Sequence, residues 1–99
     1  MARNSFQLSG TIRTRDALRY SPSGTPIMNF AVEHQSEQSE GDNRRRIVLN
    51  MDCVVFGEMA VKFESVDIGE KIHLSGFLMN KSARSKWPVM NIQEFNTDQ

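Results

Sequence analysis

A chain of 99 residues with 38% hydrophobic and 24% charged side chains has material for one domain and one core, and removes roughly 60 to 65% of its unfolded surface on folding. Its 12 basic and 12 acidic residues cancel, which excludes a strong non-specific field around the whole molecule. The charge is instead patterned. Residues 1–34 carry Arg3, Arg13, Arg15 and Arg19 against Asp16 and Glu33, and residues 35–43 carry only the acids Glu37, Glu40 and Asp42. Arg44, Arg45 and Arg46 follow in a row, and residues 79–87, MNKSARSKW, hold Lys81, Arg84 and Lys86 without an acid. The uncharged stretch 21–32 contains two prolines and a glycine, and MARNSFQL lacks the apolar run of a secretory signal. Neither a membrane span nor a signal peptide is expected. With Cys53 as the only cysteine no intrachain disulfide can form, and the cytoplasm is the expected compartment.

In chain order the elements read as strands. Residues 4–14 alternate, with Phe6, Leu8, Gly10 and Ile12 on one face and Ser5, Gln7, Ser9, Thr11 and Arg13 on the other, as a half-buried strand does. Ser21-Pro22-Ser23-Gly24 is a type I or type II turn. Residues 26–34 then place Met28, Phe30 and Val32 on one side of a second strand, while residues 35–43, QSEQSEGDN, read as a mobile polar loop. In residues 46–56 the odd positions Ile47, Leu49, Met51, Cys53 and Val55 make a core face; the even positions Arg46, Val48, Asn50, Asp52, Val54 and Phe56 face away from it. Gly57 ends this third strand, and residues 58–67 allow a short helix through Met59, Ala60, Val61, Phe63 and Val66. Residues 71–80 alternate again through Ile72, Leu74, Gly76 and Leu78. The fifth strand, residues 89–95, sets Met90 and Ile92 against Val89 and Phe95, so it is either buried on both faces or bulged.

Five short strands with at most a small helix between the third and fourth fit an all-β, five-stranded OB-fold barrel spanning residues 1–99. An SH3-like barrel also has about five strands. The long first strand favours the OB arrangement, because Gly10 at its centre lets it bend through both halves of a barrel, and so does the compact insertion at the helix position.

Catalytic chemistry finds no support. His34 and His73 belong to no Cys, His or Asp cluster at metal spacing, Cys53 lies on the core parity of its strand as an inert thiol, and GEKIHL lacks the upstream glycine of a phosphate loop. No nucleophile, base and orienter form a set. Neither an enzyme activity, a metal nor a cofactor is expected.

The residue types instead suit single-stranded nucleic acid, which is held by cations that track phosphates and by aromatic faces that stack on bases, each stack being worth roughly 1 to 3 kcal/mol. Lys81, Arg84 and Lys86, spaced by serine and alanine, lie where strands four and five are joined, one of two loops that OB-folds use for oligonucleotides; the alternative is a merely solvated hairpin. Trp87 closes that loop and either stacks or packs on the barrel. Phe56 on the outward face of strand three either stacks, covers a subunit interface or packs under a loop. Arg44, Arg45 and Arg46 either meet phosphates or guard a strand edge and answer the neighbouring acids. Arg13, Arg19 and Tyr20 lie near the first loop, the other usual binding loop. Asp52, on the same face as Phe56, would repel phosphate.

Asn4, Leu8-x-Gly10-x-Ile12, LRYSPSGTPIMNF at 18–30, VVFGEMA at 54–60 and IGEKIHLSGFL at 68–78 resemble the bacterial single-stranded-DNA-binding OB family, over the whole chain. The EHQSEQSEGDN segment, the SGFL followed by a basic loop, and a chain that stops at Gln99 without a long Gly/Gln-rich tail resemble its primosomal branch. The resemblance implies a homodimer of OB-folds that binds single-stranded DNA, assists replication restart, and contacts the PriA helicase and DnaT without catalysis. It implies DNA contacts for the loop cations Lys81, Arg84 and Lys86, and base stacking for Phe56 in VVFG. Val48 departs from relatives that carry an aromatic near the start of this strand, which together with Asp52 implies weaker DNA binding or binding shifted toward the arginines.

Overall fold

The computed structural model describes residues 1–98. Its elements are β1 (Phe6–Arg15), β2 (Arg19–Tyr20), β3 (Pro26–Glu40), β4 (Asn43–Phe56), α1 (Glu58–Phe63), β5 (Lys71–Asn80) and β6 (Pro88–Thr97). Neighbours run β1-β5-β6-β4-β3, and β1 pairs back onto β3, which closes a five-stranded barrel; the two-residue β2 adds to the outer edge of β3. All pairings are antiparallel except β4 with β6, where Cys53 faces Met90 and Val54 faces Asn91. This is the OB-fold expected from the strand count.

Closure depends on β1 serving two partners. Residues Phe6 to Thr11 pair with β5, and Thr11 to Arg15 pair with β3 across an irregularity between Ile12 and Thr14. Gly10 sits at the change-over, where a Cβ would stand 2.7 Å from the carbonyl oxygen of Glu33, so only glycine lets the backbones come this close. The alternating residues Ile12, Met28, Phe30, Val32, Cys53, Val55, Ile72, Leu74, Met90 and Ile92 fill the interior. Helix α1 covers one end of it with Ala60 and Phe63; the Phe63 ring stacks on Phe30 at 4.1 Å and meets Phe95 edge-on at 5.1 Å. Arg15 fastens the helix, donating to the carbonyls of Glu64 at 2.7 Å and of Val66 and Phe63, acceptors left open at a helix C-terminus.

Three expectations are corrected. Residues 35–43 are not a loop: β3 continues to Glu40, β4 begins at Asn43, and the register runs unbroken to Glu40 opposite Asn43. The turn is Gly41-Asp42 alone, with Gly41 at φ 60 and Asp42 not positive, as a type II′ hairpin needs. Opposite charges across this ribbon, Glu37 on Arg44 at 3.5 Å and Glu40 on Arg45 at 3.1 Å, support it where no apolar alternation does. Second, Val54 does not face solvent. It is only 5% exposed, in a small cluster with Ile27, Val89 and Met79 on the outer side of the sheet. Third, core parity does not guarantee burial: Phe6, the first residue of β1, and Leu49, which lies beyond the last β1–β3 pair, are exposed.

Two open alternatives resolve. Gly24 N–H donates to the Ser21 carbonyl at 2.8 Å and Ser23 has no positive φ, so the Ser-Pro-Ser-Gly turn is type I. Strand β6 is both two-sided and bulged. Ser75 faces Glu94 whereas Gly76 faces Ile92, so Gln93 is the extra residue; this carries the core face from Met90 and Ile92 to Phe95, while Val89 joins the outer cluster.

Burial also decides the chemistry of Cys53. It is enclosed in the barrel, and desolvation, assisted by the neighbouring Asp52 charge, pushes its thiol from 9.0 up to about 12. The folded state therefore holds its proton where the unfolded chain has released it, and this contribution to stability is intact below about pH 9 and is lost as pH rises toward 12. A thiol reagent at pH 8 should leave the folded protein unmodified and react only as denaturant is added; rapid reaction without denaturant would mean that β4 opens locally.

Candidate nucleic-acid interface

The pairing of β3 with β4 decides which side chains share a surface. Ile27 lies opposite Phe56, Asn29 opposite Val54, Ala31 opposite Asp52, Glu33 opposite Asn50, Gln35 opposite Val48 and Glu37 opposite Arg46. Since alternate residues point the same way, these pairs form one outward face, and Arg19, opposite Ile27 on β2, extends it. Beneath its barrel end lies a buried apolar strip of Ile27, Val54 and Val89, with Met79 packed against it. Phe56 stands at the end of this strip and is 41% exposed.

Cations are strung along this face, each held in place by a polar neighbour. Arg19 Nη2 donates to Asn29 Oδ1 at 2.9 Å, and Arg46 Nη2 to Gln35 Oε1 at 3.0 Å. Arg13 Nη2 donates to Glu33 Oε1 at 2.8 Å, and Gln35 Nε2 donates to the same oxygen; these bonds hold the Glu33 carboxyl below its ordinary range. Arg44 lies on Glu37. Lys81 Nζ is 3.2 Å from Asp52 Oδ2, so the acid expected to repel phosphate is matched by a loop lysine. Arg13, Arg19, Arg44, Arg46, Phe56 and Lys81, scattered over 69 positions of the sequence, thus come to one face.

The basic loop between β5 and β6 continues from Lys81. It is shaped by its serines, Ser85 N–H donating to the Ser82 carbonyl and Ser85 Oγ bonding to Trp87 N–H and carbonyl. Arg84, Lys86 and Trp87 are exposed, Trp87 at 77%. That corrects the alternative in which the indole packs on the barrel. Among the described residues neither Arg84 nor Lys86 makes an ion pair. Tyr20 is also exposed, but strand alternation turns it away from Arg19 and so away from this face.

Sequence reasoning missed the apolar strip and Asn29. Only the register reveals them, because Ile27 and Val54 read locally as off-parity residues. The histidines are structural fastenings. His34 bonds the Ser9 carbonyl and Ser36 Oγ, while His73 bridges Ser9 Oγ at 2.7 Å and Asp98 Oδ1 at 2.6 Å, tying the last strand to β1. Among the described residues no group of three or more His, Cys, Asp or Glu is placed to hold a metal ion, and no helix is long and apolar enough to cross a membrane.

Residues 4–94 match the model of a family described as another single-strand binding protein family. The replication restart protein PriB of Nitrosomonas europaea is 30% identical over 92 residues, spanning 93% of this chain and 85% of that one. PriB of Neisseria meningitidis serogroup B is 30% identical over 90 residues, 91% and 89% of the two chains. Among solved structures, PriB from Ralstonia solanacearum superposes with a TM-score of 0.86 at 26% identity, covering 99% of this chain and 100% of that one. The single-stranded DNA binding protein of Thermus aquaticus, as a deletion mutant, has a TM-score of 0.80 at 19% identity over 98% of this chain and 51% of that one, a likeness of fold.

Proposed function

The chain belongs to the single-strand-binding protein family and, within it, to the replication restart proteins PriB, and from that premise we propose that it binds single-stranded DNA as an accessory protein of the replication-restart primosome. The observation that carries the reading is the placement of Arg13, Arg19, Arg46, Phe56 and Lys81 along one outward face of the β3–β4 sheet. On such a face, phosphates follow the cations while bases stack on the exposed Phe56 ring, with Arg84, Lys86 and Trp87 closing over the strand from the loop. Stacking needs unpaired bases, so duplex DNA lacks half of what the surface offers. Base preference is slight, because phosphates and stacked faces do not distinguish sequence.

In this role the protein acts by binding alone. It works as a homodimer in the cytoplasm and stimulates the PriA helicase, with DnaT as a further partner. Fluorescence-anisotropy titration of single-stranded against duplex oligonucleotides at two salt concentrations tests the central point. If the protein neutralises about five phosphates, log K falls against log salt with a slope near −3.5, about −0.7 per contact. A slope near zero, or no single-strand binding at low salt, would overturn the DNA reading and leave a protein-interaction module of the primosome.

A further inference from the structure

Asp52 is out of place on a surface that meets phosphates. Its neighbours along the outward face of β4 are Asn50 and Val54, and its partner across the sheet is Ala31, so nothing in the sheet itself balances the charge. The balance comes from 29 residues away: Lys81, the first residue after β5, reaches back to place Nζ 3.2 Å from Asp52 Oδ2. The pair closes one side of a hollow of about 310 Å³ lined also by Thr14, Asp16 and Asn29. Lys81 therefore looks into a pocket with two carboxylates, at the root of a loop whose other cations, Arg84 and Lys86, make no ion pair among the described residues. Both partners remain about half exposed, and an anion from solution has access to the ammonium.

We propose that Asp52 is a built-in brake on the interface: it holds Lys81 against the sheet in the unbound protein, and a nucleic-acid phosphate binds Lys81 only by displacing the Asp52 carboxylate. The proposal rests on the single-stranded-DNA reading above. Physically this is an exchange of anions at one ammonium, in which the Lys81–Asp52 pair opens as a Lys81–phosphate pair forms. The brake lowers affinity and lets the loop leave the sheet when a strand arrives. An exposed pair of this kind has a strength equivalent to about a 1.4- to 5-fold change in an equilibrium constant, so it tunes binding without abolishing it. Screening weakens it as salt rises.

A double-mutant cycle on the full chain tests the exchange, with labelled oligo-dT titrated at low salt against the wild type, Asp52→Asn, Lys81→Ala and the double variant. Asn is nearly isosteric with Asp at this exposed position, and equal melting temperatures verify that all four fold alike. The expected result is that Asp52→Asn binds about two- to fivefold tighter, with the gain shrinking at high salt. Lys81→Ala should also cost more affinity in the Asp52→Asn background than in the wild type. Unchanged or weaker binding by Asp52→Asn would mean that the carboxylate positions Lys81 productively, and additive effects would mean that Asp52 acts on the strand independently of Lys81; either overturns the brake. A wild type that fails to bind oligo-dT at all overturns the DNA reading, and the brake with it.

Discussion

Gly76→Ala is expected to destabilise the fold by about 3 kcal/mol or more, lowering the thermal midpoint by roughly 12 to 24 °C. Gly76 lies opposite Ile92, next to the bulge that shifts the register of β6 against β5. A Cβ there would run into the carbonyl oxygen of Asn91 and stand 2.9 Å from its carbonyl carbon and 3.1 Å from the Ile92 Cα. All three are backbone atoms of a central strand, so no side chain can rotate out of the way. Relief requires β5 and β6 to separate where Asn91 joins the outer sheet and Ile92 the core, so the same shift disturbs both clusters. Thermal unfolding followed by circular dichroism measures this; a loss below about 1 kcal/mol would mean that the bulge slides along β6 to make room.

Replacing Lys81, Arg84 and Lys86 together by alanine is expected to weaken oligo-dT binding about tenfold or more and to make the salt dependence shallower by about 2, three contacts at roughly 0.7 each. Arg84 and Lys86 are free of ion pairs among the described residues and carry most of the loss. Lys81 contributes less than its charge suggests, since it already has Asp52. Stability should be nearly unchanged, because these side chains are exposed and outside both apolar clusters. Anisotropy titration and a melting curve on the same preparation separate the two effects. Unchanged affinity would move the path of the strand onto the arginines of the β3–β4 ribbon.

Much of the barrel was legible because burial on one face writes itself as a period of two. Ile72 and Leu74, Met28, Phe30 and Val32, and Cys53 and Val55 are all buried where alternation places them. Gly10 was legible as a bend for a related reason: a residue without a side chain in the middle of an apolar face has few other uses. The candidate site was legible only as residue types. Arg13, Arg19, Phe56 and Lys81 are 68 positions apart end to end, and nothing local says that they share a surface. Tyr20 shows the converse, adjacent to Arg19 in sequence and turned the other way by the pleat.

By itself, then, the order of residues determined the faces of the strands that enclose the core, the Ser-Pro-Ser-Gly turn, the short helix and the basic composition of the last loop. Each of these depends on interactions within a few residues or on simple removal of apolar groups from water. Tertiary structure decided the rest. Residues 35–40 form a strand because Asn43 to Val48 lie beside them to take their hydrogen bonds, not because of any hydropathy of their own. Val54 is buried because Ile27, Val89 and Met79 arrive from other strands to cover it. Asp52 meets Lys81 because barrel closure brings the β5–β6 loop over the face of β4. Pairing and charge matching are relations between distant segments, and a local pattern cannot contain them.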